Sequence, residues 1–429
     1  MNNLQILNFE SRRGSHISTF NYLIDAKSRL SSFDTINIQL ANSAIEIGAT
    51  QYAIDLYLYE LYNNYNNINH FDLQNIGNTL IRNNIFNLHL NYFIELSNTE
   101  SNINKKICID TLLSDYYLFN SYFSEFKNFT SNCISSNWAQ EFTVKSISEI
   151  VFSLDIKNPF NKKTSAFNNT FKVVNFSFLP HYGRFAHQVF EYIYLKYLCY
   201  EFKLELHTPY WIGDYIFDLN DYHMSSYQST IYLKNNELDS YVKEFGISSI
   251  AGKNFFSPGI PENWLNNNYN FIIENLHFSS KIIENFNYFL KINSIDCSKL
   301  VVIHIRMGDL SHQLDNDLIP TLLDWHNKNL NVLKEYTIYI ASDNSELLYT
   351  LNNAHGFLNI SNFSKSSNIS NWLIDFLLMC HSEVLVISSY SGFSKLAAVL
   401  NKSGKNNNLF YYDNSSNAIL NIKASEILL

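Results

Sequence analysis

Leu300-Val301-Val302-Ile303-His304-Ile305-Arg306-Met307-Gly308-Asp309 is the stretch on which the fold turns. Its first part is a nearly continuous apolar, β-branched run, the pattern of a strand covered on both faces. Polar groups enter only at its end. His304 and Arg306 are two residues apart and therefore project to the same side of a strand. Gly308 then allows a sharp turn before Asp309. In open α/β sheets, ligands sit at the carboxyl ends of the strands, and an arginine fork placed there can grip a diphosphate through two charge-assisted hydrogen bonds. A purely structural Arg–Asp pair at a strand end would leave the same spacing.

Working outward, the region after residue 170 alternates short β-rich runs with helical patterns. The runs are Phe171–Phe178, Lys203–His207, Lys299–Ile305, Tyr336–Ala341, Glu383–Ser388 and Leu409–Tyr412, with helical stretches such as Arg184–Tyr200, Ser345–Asn352 and Ser370–Cys380 between them. This alternation predicts an α/β architecture of two parallel-sheet units, over 170–295 and 296–429. The polar segment 156–169, which contains Lys157-Asn-Pro159-Phe-Asn-Lys-Lys, reads as a linker. Residues 1–155 read as an α-helical domain. Within it, Ser43–Leu61 and Asn78–Leu96 align at an offset of about 35 residues, the period of a tetratricopeptide-like helix pair. A plain helical bundle fits as well.

Two further motifs could carry chemistry. Gly183-Arg184-Phe-Ala-His187-Gln188-Val-Phe-Glu191-Tyr192 follows the first strand of the 170–295 unit. Its glycine permits a tight turn into a helix whose N-terminus offers free N–H groups. His187 and Glu191, four apart, share a helical face as a proton-transfer or metal-binding pair, or as a surface contact with no function. Val384-Leu-Val-Ile-Ser388-Ser389-Tyr390-Ser391-Gly392-Phe393-Ser394 takes an apolar strand through a Ser/Gly turn into a helix, the shape of a phosphate cradle and also of an ordinary serine cap. Asp315-Asn316-Asp317 lies in a polar loop and reads as a solvated turn rather than a metal motif. Ser389 and Ser391 lack His and Asp partners in register for a hydrolase triad.

Taken in order, the motifs resemble those of the α-1,2-fucosyltransferases and their wider fucosyltransferase superfamily. Gly183, Arg184, Gln188, Phe190 and Tyr192 fit the family's first motif. His304, Arg306, Gly308 and Asp309 fit its His-x-Arg-x-Gly-Asp strand, and Ser342-Asp343-Asn344 fits the next strand end. Asp375, Leu378, Met379, Cys380, Ser391, Phe393 and Ser394 follow the order of the last one. The resemblance implies a GT-B-like pair of Rossmann-type lobes and a nucleotide sugar, typically GDP-fucose, held by the C-terminal lobe. It implies no metal or other cofactor and a single inverting displacement. Arg306 would neutralise the departing diphosphate. Ser391, Gly392, Phe393 and Ser394 would hold phosphate or ribose, while His304, Gly308, Asp309 and Asp343 would shape the nucleotide pocket. Gly183, Arg184, His187 and Gln188 would line the acceptor-side rim. Asp309, Glu191 and His187 are candidate general bases. Met307 stands where the family has a second arginine, Ala186-His187 where it has Gly-Asn, and Lys395-Leu396 where it often has two tryptophans. These departures leave room for another nucleotide sugar, or for a non-catalytic protein acting through its helical domain.

Bulk properties are consistent with these expectations. The chain has 429 residues, 46% hydrophobic and 16% aromatic, enough for more than one core. A net charge of −9 without a basic block argues against nucleic acid as a partner. The acceptor, whether glycan, lipid-linked glycan or protein, is not readable, and the N-terminal helices could recruit a protein partner. Cys108, Cys133, Cys199, Cys297 and Cys380 include no CxxC pair and predict free thiols in a reducing compartment. The polar stretch Met1–Arg13 and the lack of a run of about 18 apolar residues predict a soluble cytoplasmic protein, with peripheral contact at the inner membrane left open.

Overall fold

The computed structural model describes residues 20–21, 23–25, 27, 36–46, 49–83, 85–119, 125–126, 129, 173–176, 179, 185–223, 229–231, 242, 246, 251, 253–255, 260, 264–306, 318–363, 369–388, 391–401, 408–413 and 418–423. Its amino-terminal part is helical, with α1 (Ile36–Glu46), α2 (Thr50–Asn63), α3 (His70–Arg82), α4 (Phe86–Thr99) and α5 (Ile103–Phe119). Consecutive helices pack on one another, and α3 also packs on α5. The helix starts recur at Ile36 and His70, and at Thr50 and Phe86, offsets of 34 and 36 residues. The first four helices thus form two successive hairpins with similar spacing. Gly77 lies at the closest crossing, where a methyl group would stand 2.4 Å from Leu112 Cδ1 on α5.

The rest forms two five-stranded sheets flanked by helices. The first has the order β3-β2-β1-β5-β4, every pair parallel, with β1 (Val173–Asn175), β2 (Glu205–Thr208), β3 (Tyr222–His223), β4 (Ser229–Ile231) and β5 (Lys253–Phe255). Helix α6 (Phe185–Phe202) connects β1 to β2 and is buried along most of its length. That explains why its apolar residues run all round it rather than in a stripe. The second sheet has the order β10-β9-β8-β6-β7, with β6 (Leu300–Ile305), β7 (Thr337–Ser342), β8 (Val384–Ser388), β9 (Leu409–Asp413) and β10 (Ala418–Ile422). Its pairs are parallel except for β9 with β10, an antiparallel edge that the sequence reading did not anticipate. Helices α7 (Ser280–Ile292), α8 (Leu318–Lys328), α9 (Ser345–His355), α10 (Asn371–His381) and α11 (Gly392–Leu400) complete this region.

Register explains which helices cover which face of the second sheet. Val301, Ile303 and Ile305 of β6 join a buried cluster with Leu322 of α8 and Leu347 and Leu351 of α9. Val302 lies opposite Tyr339 and Leu385, and these three pack instead with Leu377 of α10 and Leu396 of α11. That second cluster is continuous with the first sheet's α6, so the face bearing His304 and Arg306 is the one turned toward the other lobe. An aromatic seam joins the lobes. Phe185 of α6 stands 5.2 Å from Phe376 and 5.4 Å from Trp372, centroid to centroid.

Cys108, Cys199 and Cys380 are free and buried, and Cys297 is free and half-buried, while Cys133 lies outside the described residues. No helix among the described residues is long and apolar enough to cross a membrane.

Candidate functional site

The second sheet has a switch point. From β6 the chain crosses to β7 on one side and then returns to β8 on the other, so the carboxyl ends of β6 and β8 flank the position at which doubly wound sheets hold their ligands. Arg306 leaves β6 at this point, and Ser388 ends β8 there.

His304 is opposite Ala341 in the β6–β7 register, which puts Arg306 beside Asp343, just past the end of β7. Arg306 Nη1 lies 3.0 Å from Asp343 Oδ2, with side chains 18% and 32% exposed. The pair is thus open to solvent, not sealed in the core. Asp343 belongs to the turn that starts α9. Asn344 caps this helix, its side-chain oxygen accepting from Leu347 N–H at 3.0 Å, and its own N–H donates to Ser342 Oγ at 3.2 Å. His304, 8% exposed, packs against Phe393 with ring centroids 5.9 Å apart, and its Nδ1 has no hydrogen-bond partner. Burial depresses its pKa to about 4, against a smaller opposing pull from Asp343, so the imidazole is neutral near pH 7. Below it, Tyr339 donates its hydroxyl to Asp375, whose carboxyl burial raises to about 7.

The Ser391 turn approaches the same position. Ser391 is the N-cap of α11, with its Oγ accepting from Ser394 N–H at 3.4 Å and its carbonyl accepting from Lys395 N–H at 3.0 Å. Ser391 and Ser394 are buried, and Phe393 and Gly392 are half-buried. A methyl group at Gly392 would lie 3.7 Å from Ala186 Cβ and 3.8 Å from His187 Cε1, so the N-termini of α6 and α11 meet across the lobes. His187 is held below its ordinary pKa by partial burial and then by the charge of Lys395.

The structure thus brings Arg306, Asp343, His304, Ser391–Ser394 and His187 to the facing ends of the two lobes. Gln188 and Glu191 are buried within α6. His187 and Glu191 do share a helical face by spacing, but the helix carries one to the surface and the other inward, so they form no exposed pair. Gly183, Arg184, Gly308, Asp309, Ser389 and the Asp315–Asp317 loop lie outside the described residues. Among the described residues no group of three or more His, Cys, Asp or Glu could hold a metal ion. Lys395 entered the sequence reading only as a departure from the family's tryptophans, because a single lysine on an otherwise apolar helix looks like its solvated edge.

No protein-family profile and no curated protein matches the sequence. Among solved structures, similarity is found to the α-1,6-fucosyltransferase NodZ soaked with GDP-fucose, at 12% identity and a TM-score of 0.41, covering 58% of this chain and 98% of that one. POFUT1 in complex with GDP-fucose gives 12% identity and a TM-score of 0.40, covering 55% of this chain and 95% of that one. A mutant of Arabidopsis thaliana FUT1 in complex with GDP gives 11% and 0.40, covering 69% and 78%.

Proposed function

We propose that this chain is a glycosyltransferase of fucosyltransferase type, with the GT-B arrangement of two Rossmann-type lobes, that transfers fucose from GDP-fucose to a glycan or protein acceptor. The observation that carries this reading is the switch-point crevice. There a partly exposed guanidinium leaves the end of β6 on the face of His304, His304 packs on Phe393 beside the N-cap of α11, and Gly392 of that helix meets the N-terminus of α6. These groups suit an anion, and the ordered sequence motifs suggest which one.

In this mechanism Arg306 sits where negative charge develops as the sugar–phosphate bond breaks, and stabilises the departing diphosphate without a metal ion. Ser391 Oγ and the free N–H groups of the first turn of α11 supply further donors. His304 stays neutral and packs the base of the pocket against Phe393. Proton removal from the acceptor hydroxyl falls to a group on the facing lobe. Of the two described candidates, His187 is accessible and uncharged near pH 7, whereas Glu191 is interior. Displacement from the face opposite the leaving group inverts the anomeric centre. The amino-terminal hairpins, with their recurrent spacing, are read as a tetratricopeptide-like module that presents a surface to a protein partner.

Calorimetric titration with GDP tests the reading. Wild type binds, and Arg306→Ala weakens binding by at least about ten-fold, the loss expected when a charged hydrogen-bond donor is removed. Absence of binding by wild type, or equal binding by the variant, rules the reading out.

A further inference from the structure

Lys395 is a cation in an unfavourable place. It stands one turn into α11, on the face that also carries Ser391 and Gly392, four and three residues earlier. Helical side chains lean toward the amino end, so the lysine stem lies back over that turn. There the helix presents the positive end of its dipole, where a cation is destabilised. His187 of the facing lobe is close enough for Lys395 to depress its protonation. Lys395 is half-buried, burial lowers its own pKa, and among the described residues no carboxylate pairs with it. Phe393 of the same turn packs against the nine-tenths-buried His304, whose Nδ1 has no hydrogen-bond partner.

A half-buried ammonium with no counterion among the described residues, at a helix amino terminus and beside an imidazole, is an arrangement that a bound anion relieves. Arg306 cannot supply the whole countercharge of a diphosphate, since it shares its own charge with Asp343. We propose that Lys395 is a second cation of the site and binds the diphosphate of the nucleotide directly, from the α11 side of the crevice opposite Arg306. The proposal rests on the nucleotide-sugar reading for the identity of the ligand, but the anion site itself is testable apart from it.

The test titrates the full chain with GDP and with inorganic pyrophosphate by calorimetry, and with guanosine by saturation-transfer NMR. Wild type, Lys395→Gln and Lys395→Arg are compared. Loss of one charge-assisted contact predicts that Lys395→Gln weakens GDP and pyrophosphate by about ten-fold or more. Guanosine binding stays as in wild type, and Lys395→Arg recovers most of the diphosphate affinity. If Lys395→Gln binds both diphosphates like wild type, the assignment of Lys395 is wrong while the donor reading stands. If wild type binds pyrophosphate but not GDP, and Lys395→Gln loses it, the donor reading falls and the anion site remains. Equal loss of guanosine and GDP in Lys395→Gln, without recovery in Lys395→Arg, makes the residue structural and overturns the proposal, as does a wild type that binds neither diphosphate.

Discussion

His304 places an imidazole in an interior that offers its Nδ1 no hydrogen bond, and the environment keeps it neutral. That neutrality has a thermodynamic consequence. The folded-state pKa of about 4 lies below the ordinary 6.5, so between these values the unfolded chain binds a proton that the native chain does not. Proton linkage at this residue therefore costs nothing above pH 6.5, and native stability is progressively lost as pH falls toward 4. Comparison with His304→Leu isolates this contribution, because the opposite slope of Asp375, whose carboxyl is raised to about 7, is present in both proteins. Measured by urea unfolding, the variant should gain about 2 kcal/mol on wild type between pH 7.5 and pH 5. Parallel pH profiles would show that His304 is solvated. At this scale the sequence told much. Spacing alone put His304 and Arg306 on one face, and the register bears that out. What spacing could not tell was the partner of Arg306. Asp343 is far away in sequence and becomes its neighbour only through β6–β7 pairing.

The elements were legible in proportion to their burial. β6 and β8 are buried at every position, so each reads as an apolar run broken only near its end, by His304 and Ser388. β3, β4 and β5 have only two or three residues each and leave no period to detect, and β10 is an edge strand without a fully buried face. Helix α11 was legible at its start through its Ser/Gly turn, but that signal could not distinguish a cap from a phosphate cradle. Ser391→Asp separates the two. A carboxylate retains the capping acceptor, suits the positive end of the helix dipole and lies near Lys395, so thermal stability should be unchanged or higher. The same charge occupies the volume claimed by the diphosphate, and GDP affinity should fall by at least about ten-fold through repulsion. Stability and affinity moving in opposite directions marks a ligand site. A joint fall, or unaltered GDP binding, would reduce the turn to a helix cap.

At the scale of the molecule, the crevice exists only if the two sheets keep a fixed relation, and the aromatic seam is what fixes it. Phe376 of α10 is fully buried and touches both sides. Its ring lies 5.2 Å from Phe185 and 6.2 Å from Phe278 in the first region's elements, and 5.2 Å from Phe393 beside the candidate site. Truncation leaves a cavity at the junction that flanking backbone cannot close without shifting α6 against α11, and it should cost about 3–5 kcal/mol. Because one buried cluster runs through both regions, that cost should be felt by both. Hydrogen exchange followed at the level of peptides provides the readout. In Phe376→Ala, the amides of 185–202 and of 300–305 should lose protection together and by similar factors. GDP affinity should drop as well, although Phe376 is no part of the anion site, because the His187–Gly392 approach depends on the seam. If 185–202 keeps its wild-type protection while 300–305 loses it, the lobes are energetically separate. In that case the contact between His187 and the Ser391 turn could not be what holds the crevice in shape.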